Sequence, residues 1–175
     1  MKTKLILLVI LYVHTLHAQT TYYSDWKTKL YGFCTKYGAI VTKPIYKLNW
    51  KEGWPEFKDG MMPVAVKGKW GFVDSTGELI VPTKYDDVED FSEGLAKVKK
   101  NGKWGYIDTR GNLVIPARYR ECGGFSEGLA AVSSDGETYD GYINKQGELV
   151  VRAKYEVCYR FKDGLAIVAN PLDQK

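Results

Sequence analysis

An all-β fold of tandem three-stranded antiparallel meanders is what this sequence predicts, and three observations lead there. Lys69-Trp70-Gly71-Phe72-Val73-Asp74 recurs as Lys103-Trp104-Gly105-Tyr106-Ile107-Asp108 and, more loosely, as Tyr139-Asp140-Gly141-Tyr142-Ile143-Asn144. Gly71 to Gly105 spans 34 residues and Gly105 to Gly141 spans 36, a period at which units bury their apolar faces against neighbours. Between these segments apolar and polar residues alternate, and 14% of the chain is aromatic, as strands with a half-buried face require. The expected architecture is an open solenoid-like array, with a closed, propeller-like arrangement as the alternative.

The N-terminus is set apart from this pattern. Met1-Lys2-Thr3-Lys4 is basic, Leu5 to Val13 is apolar, and Leu16-His17-Ala18 offers a small-residue cleavage site before Gln19. That layout predicts a secretory signal peptide over residues 1–18 and a secreted or periplasmic domain over 19–175. The apolar run is about half the ~20 residues a bilayer span needs, so no stable membrane insertion is expected after cleavage. Both histidines, His14 and His17, fall inside the signal. The mature chain then has no Ser-His or Cys-His pair and no His-ligated metal, and nothing in it calls for a cofactor. Without Lys2 and Lys4 the Lys+Arg count drops from 25 to 23 against 21 acidic residues, a net charge of +2. So balanced a surface argues against nucleic acid as a partner.

The clearest unit runs from Leu95 to Ile115. Asn101-Gly102 joins two alternating segments, and such a pair marks a two-residue hairpin loop because both residues must take positive φ. Lys67-Gly68 and Asp135-Gly136 hold the same place in the neighbouring units. Asp108-Thr109-Arg110-Gly111 suits a second, three-residue loop, repeated at Asp74–Gly77 and Asn144–Gly147. A third strand follows to Ile115, where Pro116 is expected to end it. This register sets Val98 opposite Gly105, Ala96 opposite Ile107, Ile107 opposite Leu113 and Tyr106 opposite Val114. One face then carries Ala96, Val98, Gly105, Ile107, Leu113 and Ile115, with the glycine admitting a close backbone or ring. The other carries Lys97, Lys99, Trp104, Tyr106 and Val114, the lysines forming a solvated hairpin face.

Connectors join the meanders through Tyr85, Tyr119 and Tyr155, each six residues before Phe91, Phe125 or Phe161. These rings are expected to wedge into the core between units. A degenerate unit comes first, with Tyr31-Gly32-Phe33-Cys34 in place of the Trp-Gly pattern and an insertion containing Trp50 and Trp54. The units are therefore placed at about 31–66, 67–100, 101–134 and 135–170.

The string Gly68-Lys69-Trp70-Gly71-Phe72-Val73-Asp74, with Gly77, Ile80-Val81-Pro82, Lys84-Tyr85-Asp86, Phe91-Ser92-Glu93-Gly94-Leu95-Ala96 and Val98, resembles the WG (KWG) repeat of bacterial proteins. The resemblance covers about residues 31 to 170. The third unit departs from it at Asp140, in place of Trp, and at Arg152, in place of Pro. It implies a repeat scaffold and brings no catalytic residue with it.

The residues leave several functional readings. Trp70, Trp104 and Tyr106 could form an aromatic binding ladder, or pack unit against unit. Trp50 and Trp54 lie in an insertion, where repeat arrays often bind, or they cap the end of the stack. Glu93, Glu127 and Asp163 are equivalent, as are Asp74 and Asp108; a pair of them could serve a carboxylate-only glycoside hydrolase, although turn carboxylates usually bond the local backbone. Cys34, Cys122 and Cys158 are an odd set; a Cys122–Cys158 disulfide is one reading, three core-filling thiols the other. The expected function is a non-enzymatic binding module for a peptide, protein or cell-envelope glycan. The alternative is an assembly protein that stacks through its ends.

Overall fold

The computed structural model describes residues 20–49, 55–134 and 139–169. The signal segment, Trp50, Trp54 and the Asp135-Gly136 loop lie outside the described residues. The chain divides into two compact units, Met1–Thr83 and Lys84–Lys175. Among the described residues every regular element is a strand.

The first unit contains β1 (Thr20–Ser24), β2 (Tyr31–Thr35), β3 (Lys47–Leu48), β4 (Met61–Val66), β5 (Lys69–Asp74) and β6 (Leu79–Tyr85), the last crossing the boundary. β1 and β2 form an antiparallel pair, and a four-stranded sheet has the order β3-β4-β5-β6. The β4–β5 loop is Lys67-Gly68, with φ of 51° and 78°, so both positions are left-handed as a tight hairpin demands. The core joins the two sheets: Tyr22 and Phe33 cluster with Tyr46, Met62, Val64 and Val73.

The second unit begins with β7 (Asp87–Ser92), β8 (Leu95–Lys100), β9 (Lys103–Asp108) and β10 (Leu113–Tyr119), ordered β10-β9-β8-β7. A second sheet has the order β11-β12-β13-β14, from β11 (Glu121–Cys122), β12 (Ala130–Ser133), β13 (Tyr139–Ile143) and β14 (Leu149–Tyr155). A two-stranded pair, β15 (Val157–Cys158) and β16 (Val168–Ala169), follows. Among the described residues every sheet is open and antiparallel, and none closes into a barrel. Trp104, Tyr106 and Ile115 of one repeat pack with Phe125, Ala130, Val132 and Ile143 of the next. Within this unit the aromatic face of one sheet therefore buries the aliphatic face of its successor.

Three local expectations change. The repeating sheet has four strands, because the connector supplies one: β7 pairs with β8 and turns through Glu93-Gly94, with φ of 55° and 84°. The Phe-x-x-Gly landmark is thus a second left-handed hairpin loop. Next, the pairs Ala96–Ile107, Val98–Gly105 and Ile107–Leu113 form as expected, but Tyr106 faces Ile115 instead of Val114. A bulge at Val114 inserts one residue, and a one-residue slip moves the following side chain to the opposite face. Ile115 is therefore 1% exposed against the aromatics, while Leu113 is 53% exposed. Finally, β10 continues through Pro116 to Tyr119, since a bulged edge strand tolerates the missing donor.

The bulge also explains the repeated glycine. A Cβ built on Gly105 would lie 2.5 Å from the Ile115 carbonyl oxygen and 2.6 Å from the Ala117 nitrogen. Gly71 meets the Val81 carbonyl in the same way, and Gly32 the Thr42 carbonyl at 2.5 Å. The close approach comes from the third strand of the same sheet.

Candidate functional site

The Trp-Gly strand directs its large side chains into the core. Trp104 is 7% exposed and Tyr106 is fully buried, which corrects their reading as a surface ladder; Trp70 is half-buried. The Tyr106 hydroxyl donates to the Gly123 carbonyl at 2.7 Å, and its ring meets Phe125 edge-on at 4.9 Å. Tyr142 repeats this arrangement with the Tyr159 carbonyl, at 2.9 Å, and with Phe161, at 4.9 Å. Phe125 and Phe161 are thus inter-repeat wedges, as their spacing predicted.

Lys97 is not a solvated residue. Its side chain is buried, with Nζ 5.1 Å from the centre of the Trp104 ring. It donates to the Cys122 carbonyl at 2.8 Å and pairs with Glu89 at 2.8 Å. Lys99 Nζ lies 5.3 Å from the same ring.

All three cysteines are free thiols, so the Cys122–Cys158 bridge is not formed. Two of the sulfurs sit against tyrosine hydroxyls, Cys122 at Tyr106 and Cys158 at Tyr142. Burial, partly opposed by Tyr106 and Lys97, pushes the Cys122 thiol up to about 11. It is therefore protonated at neutral pH and a poor nucleophile.

The repeated carboxylates serve the backbone. Asp108 Oδ1 accepts from the Arg110 and Asn112 amides at 2.9 and 2.8 Å, and Asp74 does the same for Thr76 and Glu78. The connector turns form a column whose rungs link successive repeats. Glu93 accepts from the Glu127 amide at 2.6 Å and the Gly128 amide at 3.0 Å, and Glu127 accepts from the Gly164 amide at 2.9 Å. Beside them, the Ser92 and Ser126 hydroxyls donate to the Phe125 and Phe161 carbonyls at 2.8 and 2.7 Å. Lys145 completes the rung by pairing with Glu93 at 3.2 Å.

This bonding has an acid signature. Desolvation would raise the Glu93 pKa, but the Gly128 amide, Lys145 and the Glu127 amide outweigh it and hold it below the ordinary range. Asp74 and Asp108 are likewise depressed: hydrogen bonds led by Thr76 and Asn112 overcome the opposing burial. A depressed carboxyl adds stability above its unfolded-state pKa and loses it as pH falls through the lower folded-state value. The melting temperature is expected to hold from neutrality to about pH 5 and to decline below about pH 4. Glu93→Gln should flatten part of that acid limb. A melting temperature constant down to pH 2 would contradict the assignment.

What the repeats do present outward is aliphatic. Ile40 and Val41 in the first unit, and Leu113 with Val114 and Leu149 with Val150 in the second, are exposed at matching positions beside the bulge. Leu79 continues the pattern. Single exposed apolar residues are ordinary; a pair held open at one point of successive repeats is not. The sequence hides this pair, because alternation sets Leu113 on the inward aliphatic face; it does pair with Ile107, yet it is exposed. Among the described residues no group of three or more His, Cys, Asp or Glu could hold a metal ion.

Tandem antiparallel sheets, in the second unit clamped turn to turn and stacked aromatic face on aliphatic face, define an all-β repeat scaffold. The chain belongs to the WG containing repeat family, which matches residues 70–104, 104–137 and 141–170. The degenerate first repeat precedes those matches, yet its Gly32 meets the same carbonyl approach as Gly71 and Gly105. Comparison with the curated proteins gives no match.

Proposed function

We propose that this chain is an exported, non-enzymatic binding module that holds a peptide or protein partner along its repeated aliphatic pairs. The observation that carries the reading is the exposure of Leu113 and Val114, with their counterparts, at one place in successive repeats. Apolar side chains held outward beside an irregular edge strand suit contact with another polypeptide more than nucleic acid. The Trp-Gly strands offer no ring ladder for a cell-envelope glycan at that place, since Trp104 and Tyr106 are covered. The absence of catalysis is part of the proposal. Glu93, Asp74 and Asp108 are occupied as ionised acceptors of backbone amides, which suits turns better than proton transfer. Export rests on the N-terminal sequence, and protein recovered outside the cytoplasm should begin at Gln19.

The test immobilises that protein and measures what it retains from an envelope extract, with a glycan array alongside. Leu113→Lys with Val114→Lys should reduce retention at least tenfold and leave the melting temperature within a few degrees, because both residues are already in solvent. Unchanged retention would remove the aliphatic pair as the site. If Trp50→Ala with Trp54→Ala abolished glycan capture instead, the insertion would be the binding element.

A further inference from the structure

The charges of the first unit are sorted by end. The β1–β2 pair closes through the turn from Asp25 to Leu30, and the β4–β5 pair through Lys67-Gly68. Contacts at the other ends of these strands show that both tips point the same way. The Thr20 hydroxyl donates to the Ser75 carbonyl at 2.7 Å, and a Cβ on Gly77 would lie 3.1 Å from atoms of Phe33 and Val41. The β5–β6 turn therefore meets the start of β1 and the end of β2, which leaves the two hairpin tips at the opposite end.

That end is basic. Lys27 and Lys29 in the first tip and Lys67 in the second are exposed. So is Lys47, which faces Ala65 two residues before the β4–β5 loop. Among the described residues the acid in these tips is Asp25, and its carboxylate is turned back on its own loop. It accepts the Lys27 amide and the Thr28 hydroxyl, both at 3.0 Å. Apolar groups project among the lysines. Trp26 is 72% exposed, with Lys27 Nζ 5.3 Å from its ring centre, and Ile45, next to the Tyr31–Tyr46 bridge, is 48% exposed. The other end also has an aromatic–lysine pair, Lys36 Nζ lying 4.9 Å from the Tyr37 ring centre. There, however, Glu56, Asp59, Asp74 and Glu78 accompany Lys36 and Lys58.

We propose that the hairpin end of the first unit is a peripheral membrane contact. It seats Trp26 and Ile45 at the headgroup level of a leaflet rich in anionic phospholipid, with Lys27, Lys29, Lys47 and Lys67 against the phosphates. Shape and charge together select this occupant. A sugar or other small ligand is held where walls enclose it, whereas Trp26 stands out from a loop and needs a surface that yields around it. Indole suits the membrane interface, being apolar with one polar edge. Each lysine brought near an anionic leaflet strengthens attraction about fivefold, and salt weakens it. The contact is reversible and spans nothing. It also leaves Ile40 and Val41 clear, since Val41 lies beside Gly77 at the other end.

Sedimentation with vesicles tests this. The protein is used from Gln19 onward, which keeps every described strand and removes the apolar run at 5–13. Vesicles of equimolar phosphatidylcholine and phosphatidylglycerol should bind it at least about tenfold more tightly than phosphatidylcholine alone, and high salt should release it. Lys27→Gln, Lys29→Gln and Lys67→Gln together should weaken binding about a hundredfold, and Trp26→Ala about tenfold. Both variants should melt within a few degrees of wild type, because these side chains are exposed. The emission that Trp26→Ala removes should shift to the blue on binding. Lys36→Gln with Tyr37→Ala alters the same kind of pair at the acidic end and should leave binding unchanged. Failure to bind anionic vesicles, equal binding to neutral ones, or undiminished binding by the lysine variant would overturn the proposal. So would heparin or an oligonucleotide held as tightly as the vesicles by wild type and Trp26→Ala alike, which would make this end a general polyanion site. Retention through Leu113 and Val114 is measured without vesicles, so the failure of one reading leaves the other standing.

Discussion

Replacing Gly105 with Ala is expected to destabilise the protein by about 3 kcal/mol, near the upper end of what an inserted methyl group usually costs. The reason is the identity of the obstacle. The new Cβ would meet the Ile115 carbonyl oxygen at 2.5 Å and the Ala117 nitrogen at 2.6 Å. Both are backbone atoms of β10, and neither can swing aside as a side chain would. Relief requires the bulge to move, which would withdraw Ile115 from the core it shares with Tyr106 and Phe125. Two other glycines calibrate the effect. Gly102 has open space around it but φ of 77°, so Gly102→Ala should cost about 1–2 kcal/mol through backbone strain alone. Gly123 has no contact nearer than 3.7 Å, and Gly123→Ala should be close to neutral, or stabilising by about 0.5 kcal/mol through the unfolded chain. Urea unfolding with a constant slope measures all three. If Gly105→Ala were as mild as Gly123→Ala, the bulge would not be the reason for glycine in the Trp-Gly pair.

The comparison between sequence and structure turns on that bulge. Local turn chemistry was legible, because Asn101-Gly102 and Asp108–Gly111 each require particular backbone angles and so fix the pairing of β8 with β9 and the first pair of β9 with β10. Inter-repeat wedging was legible from the constant spacing between Tyr119 and Phe125 and its counterparts. The inserted residue at Val114 was not. A bulge breaks the two-residue alternation without a glycine in its own strand, and Pro116 there reads equally as the end of the strand. From that point Ile115 leaves the face it was expected to share with Leu113 and joins Tyr106, and the exposed aliphatic pair is concealed by the very alternation used to find faces. The turn column was half legible. Glu93, Glu127 and Asp163 recur at one position, but the amides that donate to Glu93 and Glu127 lie 34 to 37 residues away, and only the stacking of repeats brings them together. The first unit hides its turn in another way: Thr35 replaces the aspartate, and its hydroxyl accepts the Ala39 amide at 3.1 Å.

Truncating Trp104 to Ala should cost about 3–5 kcal/mol, the range for a large buried ring, and should leave partner retention intact wherever the variant is folded. The sequence alone allowed a binding ladder, and the third repeat supplies the argument against it. There Asp140 replaces the tryptophan and accepts the Ser134 amide and hydroxyl at 3.1 and 2.7 Å. The positions matching Lys97 and Lys99 are Ala131 and Ser133, so the ring and the two ammonium groups around it are absent together. In the first unit Trp70 has Pro63 and Ala65 at those positions and remains half-buried. Of Trp70 and Trp104, Trp104 is the one that two lysines enclose, and it is the covered one. The ring and Lys97 therefore act as a packed pair. Lys97→Met should weaken the protein by itself, because it strands the Glu89 carboxylate and the Cys122 carbonyl. The double variant with Trp104→Ala should be less destabilised than the sum of the two single changes, by about 0.5–2 kcal/mol for the lost cation–ring contact. Additive losses would separate the two residues. A Trp104→Ala variant of unchanged stability that no longer held its partner would return the tryptophan to the binding surface.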